Sequence, residues 1–305
     1  MIRLVLRRAG WGIGVLWLVA TLTFALLRVA PGGPFDSEKQ LPPEILANVE
    51  AKYHLDEPLW LQYARYLGGL ARADLGPSFK YLGRDVSMIL AETFPVSFAL
   101  GVIALAVAVV LGLGFGVAAG SRPDTWIDRG GMLLATAGVA FPNFVLGVVL
   151  VLLVSHRLHW LPPALWEGPR YLILPAVTLG VAPAAYIARL TRASLLDASR
   201  QDYLKTAHAK GLSSRAVLLV HQLPNALMPV ITILGPLTAA LITGSFVVEY
   251  LFAIPGMGRF FITAVTNRDY PLIMGVTLLY AALLVFANLI VDLATAWLDP
   301  RVRIH

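Results

Sequence analysis

The 305-residue chain has no cysteine. That excludes a disulfide framework, thiolate metal sites, iron–sulfur clusters and thiol catalysis together. Charge is also scarce: Asp, Glu, Lys and Arg make up 14% of the residues against 58% hydrophobic, and the mean hydropathy is +0.73. So few polar side chains cannot cover a water-exposed surface, and so much apolar surface does not stay disordered. None of the five lysines follows a glycine, so the Gly-Lys-Ser/Thr phosphate loop is missing. Gly-x-Ser-x-Gly and His-Glu-x-x-His are missing too. His156 and His159 stand beside Trp160, where interfacial side chains are expected and a metal site is not.

What is present is a series of long apolar runs. A helix needs about 20 mostly apolar residues to cross a bilayer, and six stretches qualify: 9–30, 94–120, 131–155, 171–190, 226–248 and 272–298. The expected fold class is an all-α membrane protein with six transmembrane helices. Pro142, Pro175, Pro183, Pro229 and Pro236 interrupt the runs, which a membrane bundle tolerates because neighbours satisfy the freed carbonyls. Gly112, Gly114 and Gly116 suit close helix packing. The first run is too long for a signal-peptide core, and Arg28 breaks the cleavage neighbourhood, so an uncleaved first span is expected.

Six spans place both termini on one side. That side comprises residues 1–8, 121–130, 189–221 and the tail from 299, with 13 Lys/Arg against 5 Asp/Glu. The positive-inside rule makes it cytoplasmic. The net charge of +6 therefore reflects topology, and nucleic acid is not an expected partner. Apart from Arg28 at an edge and Asp292 near an inner end, the spans are almost free of charge. Ion-coupled carriers usually need intramembrane ionisable groups, so a secondary transporter is disfavoured. Active transport would have to draw on another subunit.

The chain divides into residues 1–30, an external loop over 31–93 and a five-span core over 94–305. In the external loop, Pro43-Glu44 and Asp56 before Pro58 read as helix starts. Trp60, Tyr63, Tyr66, Leu67 and Leu70 recur at helical spacing. Such short amphipathic helices form either a lid on the bundle or a docking surface. The inside loop at 189–221 carries a helical pattern from Asp202 to Gly211, with a glycine suited to a helix stop. Ala207, Ala209 and Gly211 are small enough to let another protein surface approach closely. Tyr203, Leu204 and Leu212 add apolar contacts, and a solvated basic loop is the plainer reading.

That loop resembles the permease subunits of ATP-binding-cassette importers for peptides. Their cytoplasmic motif reads Glu-Ala-Ala, three residues, Gly, nine residues, Ile, one residue, Leu-Pro. Aligned on Gly211, Leu223-Pro224 fall in place and Ala207 matches the second alanine. Lys205, Thr206 and His221 depart from the general motif. Thr206-Ala-His-Ala-Lys-Gly-Leu212 is similar to the peptide branch's own version, and His221, Asn225 and Pro229 also suit it. Further likeness lies in Pro31-Gly-Gly-Pro-Phe35, Ala47-Asn48, Glu50-Ala-Lys-Tyr53, Gly76-Pro-Ser-Phe-Lys-Tyr81, Pro255-Gly-Met-Gly258, Asn267-Arg-Asp-Tyr270 and Asp299-Pro-Arg301. The external loop is most similar to B-type oligopeptide permeases.

The resemblance implies a type I importer in the bacterial inner membrane. This chain would be non-enzymatic and bind no cofactor or metal. A second homologous permease, two ATPase subunits holding ATP and Mg, and an external solute-binding protein delivering peptide would complete it. Asp202, Tyr203, Thr206, Ala207, Ala209, Lys210, Gly211 and Leu212 would form the coupling helix that meets an ATPase. Glu249, Pro255, Gly256, Gly258, Arg268 and Asp269 would lie in the last outer loop, as a gate, a docking site or a solvated loop. Dipeptides, nickel and glutathione remain alternative cargoes, and a stand-alone channel or carrier is the alternative class.

Overall fold

The computed structural model describes residues 2–35, 48, 50–243 and 245–298. The Pro43-Glu44 helix start, Ala47 and Asp299-Pro-Arg301 lie outside the described residues. Within them the chain is helical, with one isolated β-bridge between Pro77 and Asp85. The helices are α1 (Ile2–Val29), α2 (Leu59–Leu70), α3 (Val86–Gly120), α4 (Trp126–Ala140), α5 (Asn143–Leu150), α6 (Pro169–Ser199), α7 (Asp202–Ala209), α8 (Met228–Ile242), α9 (Phe246–Leu251), α10 (Met257–Asn267) and α11 (Tyr270–Leu298). Five helical stretches are long and apolar enough to cross a membrane, and a bent pair makes up to six.

That pair falls on the expected span at 131–155, which Pro142 interrupts. α4 and α5 meet at an angle of 107°. Phe141 precedes Pro142 and is extended, at φ −87° and ψ 129°. A proline disfavours helical geometry in the residue before it and offers no N–H to the preceding turn. The chain therefore turns at the proline that interrupts this apolar run. Beyond α5 the backbone loosens to a π-helical stretch over Val151–Arg157.

The chain forms two compact units, one of Met1–Val96 and Pro255–Val285, the other of Ser97–Ile254 and Phe286–His305. In the first, Phe24, Ile89, Met257, Leu272 and Val276 are buried together. The aromatic stripe on α2 packs there too: Tyr63 and Tyr66 lie 5.3 and 5.9 Å from the Phe24 ring, and the Tyr63 hydroxyl is 2.6 Å from Thr21 Oγ1. Burial beside Tyr63 pushes the Tyr66 phenol up to about 12. Asp56 does not cap α2, whose N-cap is Pro58 without a side-chain bond. In the second unit α3 and α6 lie backbone to backbone. A Cβ added at Gly116 would meet Thr191 Cβ at 2.6 Å and Ala188 O at 2.8 Å, and one at Gly112 would meet Ile187 Cβ at 2.6 Å. Gly114 faces open space.

Candidate functional site

α6 runs nine residues past the apolar stretch that ends at 190, reaching Ser199. One turn later α7 begins at Asp202. Asp202 in the first turn opposes the positive end of the helix dipole, and Lys205 Nζ reaches its Oδ1 at 2.7 Å. The helix stops at Gly211, whose φ of +79° is the left-handed conformation that glycine adopts without strain. The Gly211 N–H donates to the His208 carbonyl at 2.9 Å. Next come a turn at Ser214–Ala216, a π-helical stretch at Val217–Gln222 and a turn at Leu223–Ala226. Pro224 cannot donate to the Val220 carbonyl, so regular α bonding fails there.

α7 is seated on its own chain. Leu204, Ala207 and Val217 are buried together. Asn225 Nδ2 donates to the Tyr203 hydroxyl at 3.1 Å and to the His221 carbonyl at 2.9 Å. Gln222 Nε2 donates to the Leu195 carbonyl at 2.8 Å, and Leu195, Ala198 and Ala226 pack together. Higher on α6, Arg192 forks onto Asp128: its Nε meets Oδ1, and its Nη2 meets Oδ2 at 2.7 Å. Asp128 is itself positioned by the Asp124 N–H at 3.0 Å. A bidentate, mostly buried pair of this kind fixes geometry more than it adds stability.

The outward residues of α7 and its exit are Asp202, Tyr203, Lys205, Thr206, Ala209, Lys210, Gly211 and Leu212, all exposed. Ala207 is a correction: only 6% of its surface is exposed. Its small side chain serves close seating against Val217 and presents nothing to a partner. Leu223 is half-buried, while Pro224 and Pro229 are exposed.

The outer residues also need correction. Glu249, Gly256, Gly258 and Asp269 are buried, whereas Pro255 is exposed and Arg268 half-buried. Asp269 is a structural clasp. It accepts the Ser78 hydroxyl, the Phe79 N–H at 3.1 Å and the Leu272 N–H at 3.4 Å, which caps α11. Arg268 Nη1 donates to the Gly33 carbonyl at 3.2 Å, and the Tyr270 hydroxyl to the Gly32 carbonyl at 3.2 Å. Phe35, Tyr53 and Phe79 cluster beside them, with the Tyr53 and Phe79 rings tilted at 51° and their centroids 4.6 Å apart. Four of the motif segments scattered along the sequence thus meet in one place. Burial and the Asp269 carboxylate raise the Tyr81 phenol there.

Sequence reading missed the Asp128–Arg192 pair. The available signal was an acid on the otherwise basic side, together with an arginine where a helix leaves the membrane.

The helix, its seat and the broken third span suit comparison with known transporters. The model for binding-protein-dependent transport system inner membrane components matches residues 110–304, and that for the N-terminal region of such components matches residues 1–101. The chain belongs to this family. It is 44% identical over 305 residues to the dipeptide transport system permease protein of Bacillus subtilis, covering 100% of this chain and 99% of that one. It is 43% identical over 305 residues to the oligopeptide transport system permease protein of Escherichia coli, covering 99% and 100%. Among solved structures, a chain of the MetNI methionine ABC transporter superposes with a TM-score of 0.59 at 18% identity, over 70% of this chain and 97% of that one. A chain of an amino acid ABC transporter with histidines gives 0.54 at 15% identity, over 68% and 92%. The permease thus has the type I importer fold, and it is an inner-membrane component by family.

Proposed function

We propose that this permease forms, with a second homologous permease, the membrane path of an ATP-driven peptide importer. A solute-binding protein delivers peptide from outside. Two ATPase subunits, with ATP and Mg, do the hydrolysis, and this chain supplies no catalytic group. α7 is the coupling helix: Asp202, Tyr203, Thr206, Ala209, Lys210, Gly211 and Leu212 face an ATPase groove, and both termini lie in the cytoplasm. The observation that carries this is α7 itself, short and polar outside, with its inner face seated on Val217 in the π-helical stretch that Gln222 ties to the Leu195 carbonyl at the end of α6. Displacement of α7 is then passed to a membrane helix as a rigid-body motion, the usual route of alternating access.

The cargo reading is oligopeptide, from the external-loop motifs. Dipeptide is the second reading, favoured by the Bacillus relative. The test is recovery of the tagged chain from its native membrane in mild detergent, with partners identified by mass spectrometry. A second permease and P-loop ATPases are expected. Recovery of this chain alone, while other membrane complexes stay intact, overturns the assignment.

A further inference from the structure

The second unit holds a crevice of about 380 Å³ between the α4–α5 break, α6 and α8. Its walls are interrupted helices. Pro142 stands at the break, Pro183 lies inside α6, and α8 contains Pro236. Pro183 cannot donate to the carbonyl of Leu179, and both residues line the crevice. Interrupted helices expose main-chain polar groups, and in membrane transporters such backbone is tolerated where it lines a cavity.

The lining is mostly small and apolar with a few polar residues among it, the usual make-up of a ligand pocket. Asn143, Tyr186 and Arg189 are three of them. Their side chains have no hydrogen-bond or ion-pair partner among the described residues. Tyr186 and Arg189 are exposed, one helical turn apart on α6. No acidic residue lines the crevice, so the Arg189 guanidinium is not neutralised within it. This separates Arg189 from Arg192, one turn on, which is already paired with Asp128.

We propose that this crevice binds the main chain of the transported peptide, and that Arg189 takes its free terminal carboxylate. The inference rests on the peptide-importer reading above. A guanidinium presents two parallel N–H donors that match a carboxylate. Every linear peptide with a free C-terminus carries that group whatever its sequence, so one fixed cation orients varied cargo without selecting side chains. The Tyr186 hydroxyl and the Asn143 amide are placed to bond peptide amides.

The test uses the assembled importer with its ATPases and binding protein in proteoliposomes. This chain has no cysteine, so Ala240→Cys places a single reporter on it in the crevice wall, with Ala182→Cys as a second if the first impairs assembly. Alkylation of this chain is followed by mass with a free-acid peptide or its C-terminal amide present. The free acid is expected to slow alkylation and the amide to do so far less. Arg189→Gln is expected to abolish that difference and Arg189→Lys to restore part of it. In uptake, Arg189→Gln should raise KM for the free acid by about ten- to a hundredfold and leave that for the amide little changed. The binding protein is common to all variants, so its own preference cancels in the ratio. Equal protection by acid and amide, or none while peptide is still taken up, overturns the proposal. Equal loss of uptake for both peptides also overturns it, and points to an acidic group of the second permease as Arg189's partner. An assembled importer that hydrolyses ATP but takes up no peptide overturns the peptide reading instead.

Discussion

Gly211 separates two demands that a coupling helix could place on one residue. Its φ of +79° needs a residue at ease in the left-handed region, and asparagine meets that need. An added Cβ would meet nothing within 4 Å, so within this chain the position has room. Gly211→Asn should therefore leave thermal stability in detergent within about 0.5 kcal/mol of wild type. If an ATPase surface lies close over the helix end, the same variant should lose most peptide uptake while remaining inserted. Full uptake would reduce Gly211 to a helix stop. Asp269 makes the complementary case. Sequence reading offered it as an outer gate or docking residue, but its partner Ser78 lies 191 positions away, a distance that no local pattern reports. Its burial is explained by the donors it satisfies. Asp269→Ala leaves the Ser78 hydroxyl and Phe79 N–H without their acceptor and should cost about 1–3 kcal/mol. Thermal unfolding of the purified chain measures it, and an unchanged midpoint would mean that the clasp carries no stability.

The spans were legible because a bilayer demands long apolar runs, and α1, α3, α6 and α11 fall where hydropathy places them. The geometry between helices was less legible. Gly112, Gly114 and Gly116 read alike in sequence, yet only the first and third face α6, because residues four apart share a helix face. Gly116→Leu should push α3 from Thr191 and Ala188 and destabilise by roughly 1–3 kcal/mol. Gly114→Leu, with nothing within 4 Å of its Cβ, should be close to neutral. The pair is read by melting in detergent, and equal effects would contradict the packing. Pro142 was visible in the sequence, but other prolines, such as Pro175 and Pro183, stay inside a helix. The 107° turn depends on Phe141 and Pro142 both being extended, and composition alone does not give that.

For the whole molecule, the length of one helix and the charge count together predict a topology. α6 has 31 residues, a length of about 46 Å at 1.5 Å per residue, against a hydrocarbon core of about 30 Å. Its two ends must open on opposite sides of the membrane if it crosses. The basic loop follows its C-terminal end, so the positive-inside rule predicts α7 in the cytoplasm and the 158–168 connection outside. The cysteine-free sequence makes this testable with one thiol at a time. Glu167→Cys should react with an impermeant maleimide on intact spheroplasts, and Lys205→Cys should react only in inverted vesicles. Both positions are exposed in this chain, and with the peripheral ATPases stripped from the vesicles silence on one face reports the membrane and not burial. Labelling of Lys205→Cys from outside would place α7 beyond the reach of any cytoplasmic ATPase. The coupling role would fall with it, however well the residues match the family's motif.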